Sequence, residues 1–338
     1  MNKGREMRTN KIEHIIINET ELEHIFKKDD LFYSKSWRKA IINGFGCESF
    51  GILSSFKGEN VLLGIYFQTT KGFIKLVGAP LPGTFTPYLD PIWLVEVEDE
   101  IKKEVFASQF NYLKKMGFSY IEYRFENYED AKLLNEQVNI DLIKPQTYML
   151  KIEDDIEQNW KNLKSVCRRN IRKAQKSDVI LERFEACELD VEDYYEILKV
   201  VFKKSDQNPP HSLKFFKEIV YRMQEDQKLL FLRALLNNEI IAMIIFLYDK
   251  EKLLFLSSAS LPPAYKYAVN NLMQWEGIKF AHEKGIKYYN LNGKGVPSID
   301  RFKESFGSYV HSYGKLSYKT SIARGAEFVY KKVKKVGK

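Results

Sequence analysis

The chain has 338 residues, of which 44% are hydrophobic and 14% aromatic, and this is enough apolar material for two packed cores. It contains no run of about 18 apolar residues, and the polar N-terminal sequence MNKGREMRTNK is not followed by a hydrophobic region. These features argue against a membrane-spanning helix and a secretory signal, so we expect a cytoplasmic protein. The net charge of +8 favours anionic partners: phosphorylated small molecules, nucleic acid or an acidic membrane surface.

The first half of the chain alternates short apolar runs with helical patterns. Three runs separated by lysine, glycine and asparagine are typical of an antiparallel meander, and a proline-rich loop, GAPLPGTFTPYLDP, follows them. We expect this loop to form a cleft wall. The predicted strands are 12–17, 50–56, 61–68, 73–77, 118–125 and 146–152, and the predicted helices are 20–28, 36–45, 98–116 and 129–137.

The second half repeats this plan. Its predicted helices are 157–176, 191–203, 213–225 and 264–284, and its predicted strands are 229–236, 240–248, 253–258 and 286–291. In both halves a long helix ends at a glycine, Gly117 or Gly285, and a tyrosine-containing strand follows. These two glycines lie about half the chain apart, which predicts a duplicated unit of meander, helix and strand. A strand at 310–319 and an amphipathic helix at 321–335 complete the chain.

The three cysteines and five histidines predict no metal site and no disulfide framework. Cys47, Cys167 and Cys187 are widely spaced, and the histidines form no HxxH or HExxH pair. We therefore expect reduced thiols and structural histidines.

A helix rich in positive charge begins the second half. Between Trp160 and Ser177 there are seven basic residues and no acidic one. Like charges four residues apart destabilise a helix unless an anion or acidic neighbours offset them, so the pattern favours an anion-binding ridge over a solvated charged face. The stripe consists of Lys161, Lys164, Arg168, Arg172 and Lys176, beside an apolar face of Trp160, Leu163, Cys167, Ile171 and Ala174.

The segment 285–307, GIKYYNLNGKGVPSIDRFKESFG, is the strongest candidate for chemistry. An aromatic strand runs into a glycine-rich loop near Asn290, and Lys303 then follows between Phe302 and Phe306. A lysine held between aromatic side chains loses part of its hydration, so its charge acts more strongly on a nearby oxygen. The alternative is a solvated loop with two buried phenylalanines.

Three stretches resemble the FemAB-like and BioF2-like branch of the GNAT acyltransferase superfamily: FYSKSWRKAIINGFG, LKSVCRRNIRKAQKSDV and YYNLNGKGVPSIDRFKESFG. The resemblance implies an α/β fold with mixed sheets, arranged as two tandem GNAT-like domains with a cleft between them. It also implies transfer of an acyl or aminoacyl group to an amine. We expect domains at 11–152 and 156–320, followed by a C-terminal helix and basic tail at 321–338.

The resemblance also implies roles for individual residues. Lys303, with Phe302 beside it, falls on the FK position of the FKxxFG motif, where the lysine is thought to stabilise the anionic tetrahedral intermediate. The family associates the basic helix with phosphates of a nucleotide-linked acceptor. The phosphate candidates are accordingly Arg168, Arg169 and Arg172, with Trp37 and Lys39 as contributors. Tyr265, Asn290 and Asn292 are further substrate-binding candidates, and Asp90 is the candidate general base.

Two family features have no counterpart in the sequence. SLPPAYKYAVNNL stands where the GNAT pyrophosphate loop usually lies, and no long helical-hairpin arm is present. We expect an N-acyltransferase without a bound cofactor or metal that uses acyl-CoA as co-substrate and modifies a nucleotide-linked sugar or a cell-envelope precursor. One alternative is aminoacyl-tRNA-dependent synthesis of peptidoglycan bridges, and another is a non-catalytic module for anionic ligands. The basic tail predicts association with the inner face of an acidic membrane.

Overall fold

The structure is a computed structural model that describes residues 11–25 and 30–336. Its described residues form two compact units. The first unit consists of residues 11–25, 46–145 and 312–336, and the second consists of residues 30–45 and 146–311. No helix among these residues is long and apolar enough to cross a bilayer.

The first half of the chain contains the predicted meander. Adjacent strands of the meander run antiparallel. Phe50 lies opposite Tyr66 in the first pair, and Phe67 lies opposite Gly78 in the second. The long helix ends where Gly117 takes a φ of 86°, as the sequence predicted. The elements are β1 (Ile12–Ile17), α1 (Glu19–Ile25), α2 (Lys35–Phe45), β2 (Glu48–Phe56), β3 (Glu59–Lys71), β4 (Ile74–Ala79), β5 (Ile92–Trp93), α3 (Asp99–Lys115), β6 (Tyr120–Phe125), α4 (Tyr128–Val138) and β7 (Asp141–Ile143).

The second half repeats the meander, long helix and strand and adds further helices and strands. Its elements are β8 (Gln146–Lys151), α5 (Ile156–Asn162), α6 (Ser165–Gln175), β9 (Ile180–Phe184), α7 (Glu188–Lys203), α8 (Leu213–Glu225), β10 (Leu229–Leu236), β11 (Glu239–Tyr248), β12 (Lys252–Ser260), α9 (Pro262–Lys266), α10 (Val269–Glu283), β13 (Tyr288–Gly293), α11 (Pro297–Glu304), β14 (Tyr309–Ser312), β15 (Gly314–Lys319) and α12 (Ser321–Val336).

Each unit contains one mixed sheet, which confirms the predicted fold class. The first sheet has the order β1-β2-β3-β4-β6-β15-β7, with β5 beside β3, and the second has the order β14-β8-β13-β12-β11-β10-β9. In each sheet a three-stranded antiparallel meander is followed by a helix and a parallel strand. The parallel pairs are β4 with β6 and β12 with β13, so the duplicated plan read from the sequence is present in the structure.

Three predicted elements are divided in the structure. The helix predicted at 157–176 is broken at Leu163, whose ψ of 138° is extended, because Arg168 binds the carbonyl groups at the end of α5. The helix predicted at 264–284 is broken at Ala268, which has a φ of 57°. The strand predicted at 310–319 is divided into β14 and β15. The short edge strand β9 was not predicted.

Two elements belong to a unit formed mainly by the other half of the chain: α2 belongs to the second unit and β15 belongs to the first. Helix α2 packs on α8 of the second unit, where the ring centroids of Phe45 and Phe215 are 6.2 Å apart. Strand β15 pairs with β6 in the first sheet. The predicted domain boundaries instead assign α2 and β8 to the first domain and β15 to the second. Contacts between distant parts of the chain leave no local sequence pattern, so the sequence did not indicate this exchange.

Helix α12 ends the described part of the chain. It begins at Ser321, close to the predicted start, and its apolar residue Ala323 is buried. The side chains of residues 329–338 lie outside the described residues, so the proposed contact of the basic tail with a membrane stays a prediction.

Candidate active site

Lys303 is buried in the last turn of α11. Its side chain is only 7% exposed, and its Nζ donates hydrogen bonds to the carbonyl oxygens of Asn292 at 3.0 Å and Gly293 at 2.5 Å. Burial lowers the pKa of the ammonium to about 8, while the nearby Asp300 carboxylate acts in the opposite direction. An ammonium group has three donors, and among the described residues only these two hydrogen bonds of the Lys303 Nζ are found. One donor is therefore available to a ligand.

The loop after β13 is built to present these carbonyl groups. Asn290 is buried, and its Oδ1 accepts hydrogen bonds from the Thr147 hydroxyl and the Asn292 amide, both at 2.8 Å. Asn292 takes a φ of 70°, a left-handed conformation that asparagine tolerates better than most residues. The Asp300 carboxylate accepts from the Gly295 amide at 3.2 Å and ties the loop to α11. The predicted candidates Asn290 and Asn292 thus shape the lysine site.

The aromatic neighbour of the ammonium is Tyr148 of β8. The Nζ of Lys303 lies 5.8 Å from the centroid of the Tyr148 ring, and the Tyr148 hydroxyl donates to Glu304 Oε1 at 2.9 Å. Burial raises the pKa of Tyr148 to about 12, with the Glu304 hydrogen bond adding to the shift. Phe302 and Phe306 were expected to flank Lys303. Instead their rings pack on each other with centroids 5.1 Å apart, because residues four apart in a helical conformation are neighbours.

The end of the FKxxFG motif is fixed against the junction of α5 and α6. Gly307 has a φ of 81°, and a Cβ at this position would lie 2.9 Å from the Asn162 carbonyl oxygen. The Ser305 carbonyl accepts a hydrogen bond from the Lys164 amide at 2.9 Å. Lys164 also lies 3.6 Å from Glu304 through its Nζ. The basic helix and the lysine site are therefore parts of one assembly.

The three arginines of α6 have different surroundings. The Nη1 of Arg168 donates to the Lys161 carbonyl at 2.9 Å and to the Leu163 carbonyl, so this side chain caps α5. The guanidinium of Arg172 is exposed and lies 5.3 Å from the Trp160 ring. Arg169 is exposed, and no ion pair or hydrogen bond of its side chain is found among the described residues. Arg169 and Arg172 are better placed than Arg168 to bind a phosphate.

The other predicted binding residues of the second unit lie on helices α2 and α9. Trp37 of α2 has no exposed surface and packs edge-on against Phe32 at 5.3 Å, so its ring serves the core. Lys39, on the same helix, is half-buried. Tyr265 of α9 is 55% exposed, and the Nζ of Lys204 lies 5.8 Å from its ring centroid.

The candidate base Asp90 belongs to the first unit. Its carboxylate accepts two hydrogen bonds from the Glu126 amide, at 3.0 and 3.2 Å, and this contact joins the proline-rich loop to the end of β6. Asp90 therefore has a structural role in holding this loop. Its role as a base stays a prediction.

The parallel pair of the second sheet opens at one end, a feature that the sequence analysis missed. Pairing of β12 with β13 stops at Leu254 and Asn290, although β12 continues to Ser260 while bonded to β11 on its other side. The backbone groups of this last part of β12 that face β13 therefore lack strand partners. The unequal lengths of β12 and β13 are the feature that could have indicated this opening. Lys303 is bound to the part of β13 beyond the last pair.

Two of the three cysteines are buried, and Cys187 is exposed. The described residues contain no group of three or more histidine, cysteine, aspartate or glutamate side chains that could hold a metal ion. Cys47 and Cys167 are buried, and burial raises the pKa of both thiols, that of Cys47 to about 12.

The candidate site lies in a part of the chain that matches a family model. Residues 161–304, which include the basic helix, the opened strand pair and Lys303, match the model of the acetyltransferase (GNAT) domain. The predicted acyltransferase class is thereby confirmed. Among curated proteins, no sequence matches the chain significantly.

Solved structures extend the fold similarity to nearly the whole chain. FemX matches with a TM-score of 0.66 at 12% identity, covering 89% of this chain and 96% of FemX. A tandem GNAT protein from the clavulanic acid biosynthesis pathway matches with a TM-score of 0.58 at 8% identity, covering 91% and 98%. The C-terminal domain of a putative lysylphosphatidylglycerol synthetase from Agrobacterium fabrum matches with a TM-score of 0.54 at 11% identity, covering 78% and 84%. The predicted tandem GNAT-like fold is confirmed.

Proposed function

We propose that this protein is an N-acyltransferase that transfers an acyl group from acyl-CoA to the amino group of a nucleotide-linked sugar or another cell-envelope precursor. The observation that carries this proposal is the buried ammonium of Lys303, which has one unused donor at the end of an opened strand pair. The GNAT domain match supports the reaction class. The donor is inferred from the opening between β12 and β13, and the acceptor is inferred from the exposed positive charge of α6.

The chemistry assigned to Lys303 is stabilisation of an oxyanion. The acceptor amine attacks the thioester carbonyl, a C–N bond forms, and the carbonyl oxygen becomes negatively charged. The ammonium of Lys303 donates its third hydrogen bond to that oxygen, and a cation positioned in this way lowers the barrier by about 3 to 4 kcal/mol. The C–S bond then breaks, the sulfur leaves with the electron pair, and the proton lost by the amine ends on the thiol or in solvent.

The donor is assigned to the opening between β12 and β13. Amide-bearing chains such as the arm of acyl-CoA bind to free strand edges through backbone hydrogen bonds, and β12 offers such an edge up to Ser260. Helix α10 begins after Ala268 without a side-chain cap, so its first amide groups can bind an anionic portion of the donor. Tyr265 lies just before this helix and has an exposed ring for stacking.

The acceptor is assigned to the basic helix. Arg169 and Arg172 present exposed guanidinium groups on α6, and guanidinium geometry matches phosphate oxygens. Because Lys164 at the start of this helix is bound to Ser305 next to Lys303, a phosphate held on α6 lies on the same assembly as the reacting ammonium. This link supports a phosphorylated or nucleotide-linked acceptor over a neutral one.

A second candidate function is aminoacyl transfer from charged transfer RNA. The exposed positive charge of α6 and the fold similarity to FemX and to a putative lysylphosphatidylglycerol synthetase domain favour it. In that reaction a C–O bond breaks in place of the C–S bond, and Lys303 has the same role. A module that binds an anionic ligand without catalysis is the remaining alternative.

The decisive experiment is a donor screen. Acyl-CoAs and charged transfer RNAs are each incubated with the protein and amine acceptors, and products are identified by mass. Release of a free thiol identifies the CoA donor, whereas binding of charged RNA that weakens steeply with salt identifies the alternative. If no donor gives turnover while a nucleotide-linked sugar still raises the Tm, the protein is a binding module. Lys303→Ala, checked for folding, should lower the rate of any acyl transfer that is found by about a hundredfold to a thousandfold.

A further inference from the structure

Tyr148 and Lys303 make contact although Tyr148 precedes the residues that match the GNAT domain model and Lys303 lies near their end. Tyr148 lies on β8, ahead of the basic helix, and its side chain is completely buried. Its ring centroid is 5.8 Å from the Lys303 Nζ, a separation at which a cation is attracted to the electron-rich face of an aromatic ring. The ammonium is thus held by a ring in addition to the two carbonyl groups of Asn292 and Gly293.

The orientation of this ring is fixed at its other end. The Tyr148 hydroxyl donates to Glu304 Oε1 at 2.9 Å, and Glu304 is the residue that directly follows Lys303. Because burial and Glu304 keep the pKa of Tyr148 raised to about 12, the hydroxyl remains a donor at every physiological pH. The second carboxylate oxygen of Glu304 faces Lys164 at 3.6 Å, where both side chains are substantially exposed. That exposed pair contributes little to stability.

We propose that Tyr148 is a positioning residue for Lys303, and that Glu304 fixes the Tyr148 ring so that the unused N–H of the ammonium is directed to the reacting carbonyl oxygen. This inference rests on the proposed function. Two carbonyl groups alone leave the Nζ free to rotate about the line between them, whereas a ring beneath the ammonium restricts its position. A displacement of about 1 Å in a catalytic group reduces rates by about a hundredfold, which is why such a support matters.

The first test is Tyr148→Leu, which keeps an apolar side chain but removes the ring. We expect kcat to fall by at least about tenfold with KM nearly unchanged, because the ammonium acts in the transition state. We also expect the pKa of Lys303 to fall further below its wild-type value, since the ring attracts only the charged form. This titration is followed by NMR of 15Nζ-labelled lysine, with the Lys303 signal assigned by its loss in Lys303→Arg.

Phe216→Leu is the matched control. Phe216 is a buried aromatic residue of α8 in the same unit, and its ring contacts are with Tyr194, Tyr195, His211 and Phe215. Its replacement must leave the Lys303 titration unchanged even if the Tm falls. A loss of general stability would move both variants alike, whereas a positioning role moves the Lys303 titration only in Tyr148→Leu.

A second pair of variants keeps the proposal testable if Tyr148→Leu fails to fold. Tyr148→Phe and Glu304→Ala each remove the hydrogen bond between the two side chains and retain the ring. We expect each to lower kcat by about threefold and the double variant to lower it no further, because all three lack the same bond. Glu304→Gln retains an acceptor and should restore the wild-type kcat.

The outcomes separate this inference from the proposed function. If Tyr148→Leu folds and leaves the Lys303 titration unchanged, or if Tyr148→Phe and Glu304→Ala act additively, the positioning role is wrong. If the wild-type protein transfers no acyl group from any donor, the proposed function fails. The NMR titration still decides in that case whether Tyr148 sets the state of Lys303.

Discussion

The carbonyl oxygen of Asn162 occupies the space beside Gly307 that a side chain would need. A Cβ there would lie 2.9 Å from this oxygen, and the φ of 81° disfavours any other residue. The glycine that ends the FKxxFG motif therefore permits α11 to approach the junction of α5 and α6. This contact connects the lysine site to the basic helix.

Gly307→Ala should lower the free energy of unfolding by about 2 to 4 kcal/mol, through left-handed strain and overpacking together. Gly285→Ala is the control, because Gly285 has a φ of 70° but no atom within 4 Å of the added methyl group. This variant should lose only about 1 to 2 kcal/mol. Denaturant unfolding measures both, and equal losses would show that the Asn162 contact is unimportant.

The pH dependence of activity should report the protonation of Lys303. Burial lowers its pKa to about 8, so the ammonium is charged below this pH and is lost as the pH rises through it. Arginine stays charged throughout this range, and the titration of the acceptor amine is common to both proteins. The ratio of wild-type kcat to that of Lys303→Arg should therefore fall as the pH rises through about 8. A ratio that is flat from about pH 6 to about pH 10 would contradict a role for the charged lysine.

Arg168 and Arg169 are neighbours that should respond differently to replacement by alanine. Arg168→Ala removes the cap from the Lys161 and Leu163 carbonyl groups and should cost about 1 to 3 kcal/mol of stability. Arg169→Ala should change stability by less than about 0.5 kcal/mol, because the side chain is exposed, and should raise KM for a phosphorylated acceptor about tenfold. Thermal unfolding and steady-state kinetics measure the two effects. An unchanged KM in Arg169→Ala would exclude this arginine from the acceptor site.

Glu122 is a buried carboxylate that joins two strands of the first sheet. It pairs with Arg124 at 2.6 Å and with Lys315 of β15 at 2.5 Å, and its side chain has no exposed surface. Glu122→Ala should cost about 3 to 5 kcal/mol, since two mostly buried cations lose their partner.

The control for Glu122 is an exposed ion pair of the same unit. Glu129→Ala breaks the pair with Lys132, whose side chains are 67% and 62% exposed, and should cost less than about 1 kcal/mol. Denaturant unfolding measures the loss of unfolding free energy in both variants. Losses of similar size would contradict the proposal that burial strengthens the ion pairs of Glu122.

The sequence predicted the elements that depend on local patterns. The duplicated junction at Gly117 and Gly285 was recognised because helix periodicity, a stopping glycine and a tyrosine-containing strand are all read within a short window. Lys303 could also be selected as a candidate from the sequence, since the motif around it is contiguous. Its burial and lowered pKa agree with that expectation.

What the sequence did not reveal depends on contacts between distant residues. Tyr148 lies far from Lys303 along the chain, so nothing near either residue indicates that they meet. The break between α5 and α6 has the same origin, because Arg168 continues a helical pattern while its guanidinium binds carbonyl groups of the preceding helix. The burial of Trp37 follows from packing of α2 in the second unit, which no local pattern indicates.

The membership of β15 in the first sheet has a consequence for biosynthesis. This strand pairs with β6 and β7, although residues 146–311 of the second unit lie between them in the chain. On the ribosome the first sheet therefore remains without this strand until residues 146–311 have been translated. The exposed edge of β6 then needs protection from other nascent chains. Premature termination anywhere before β15 should leave a product that chaperones and proteases recognise as unfinished.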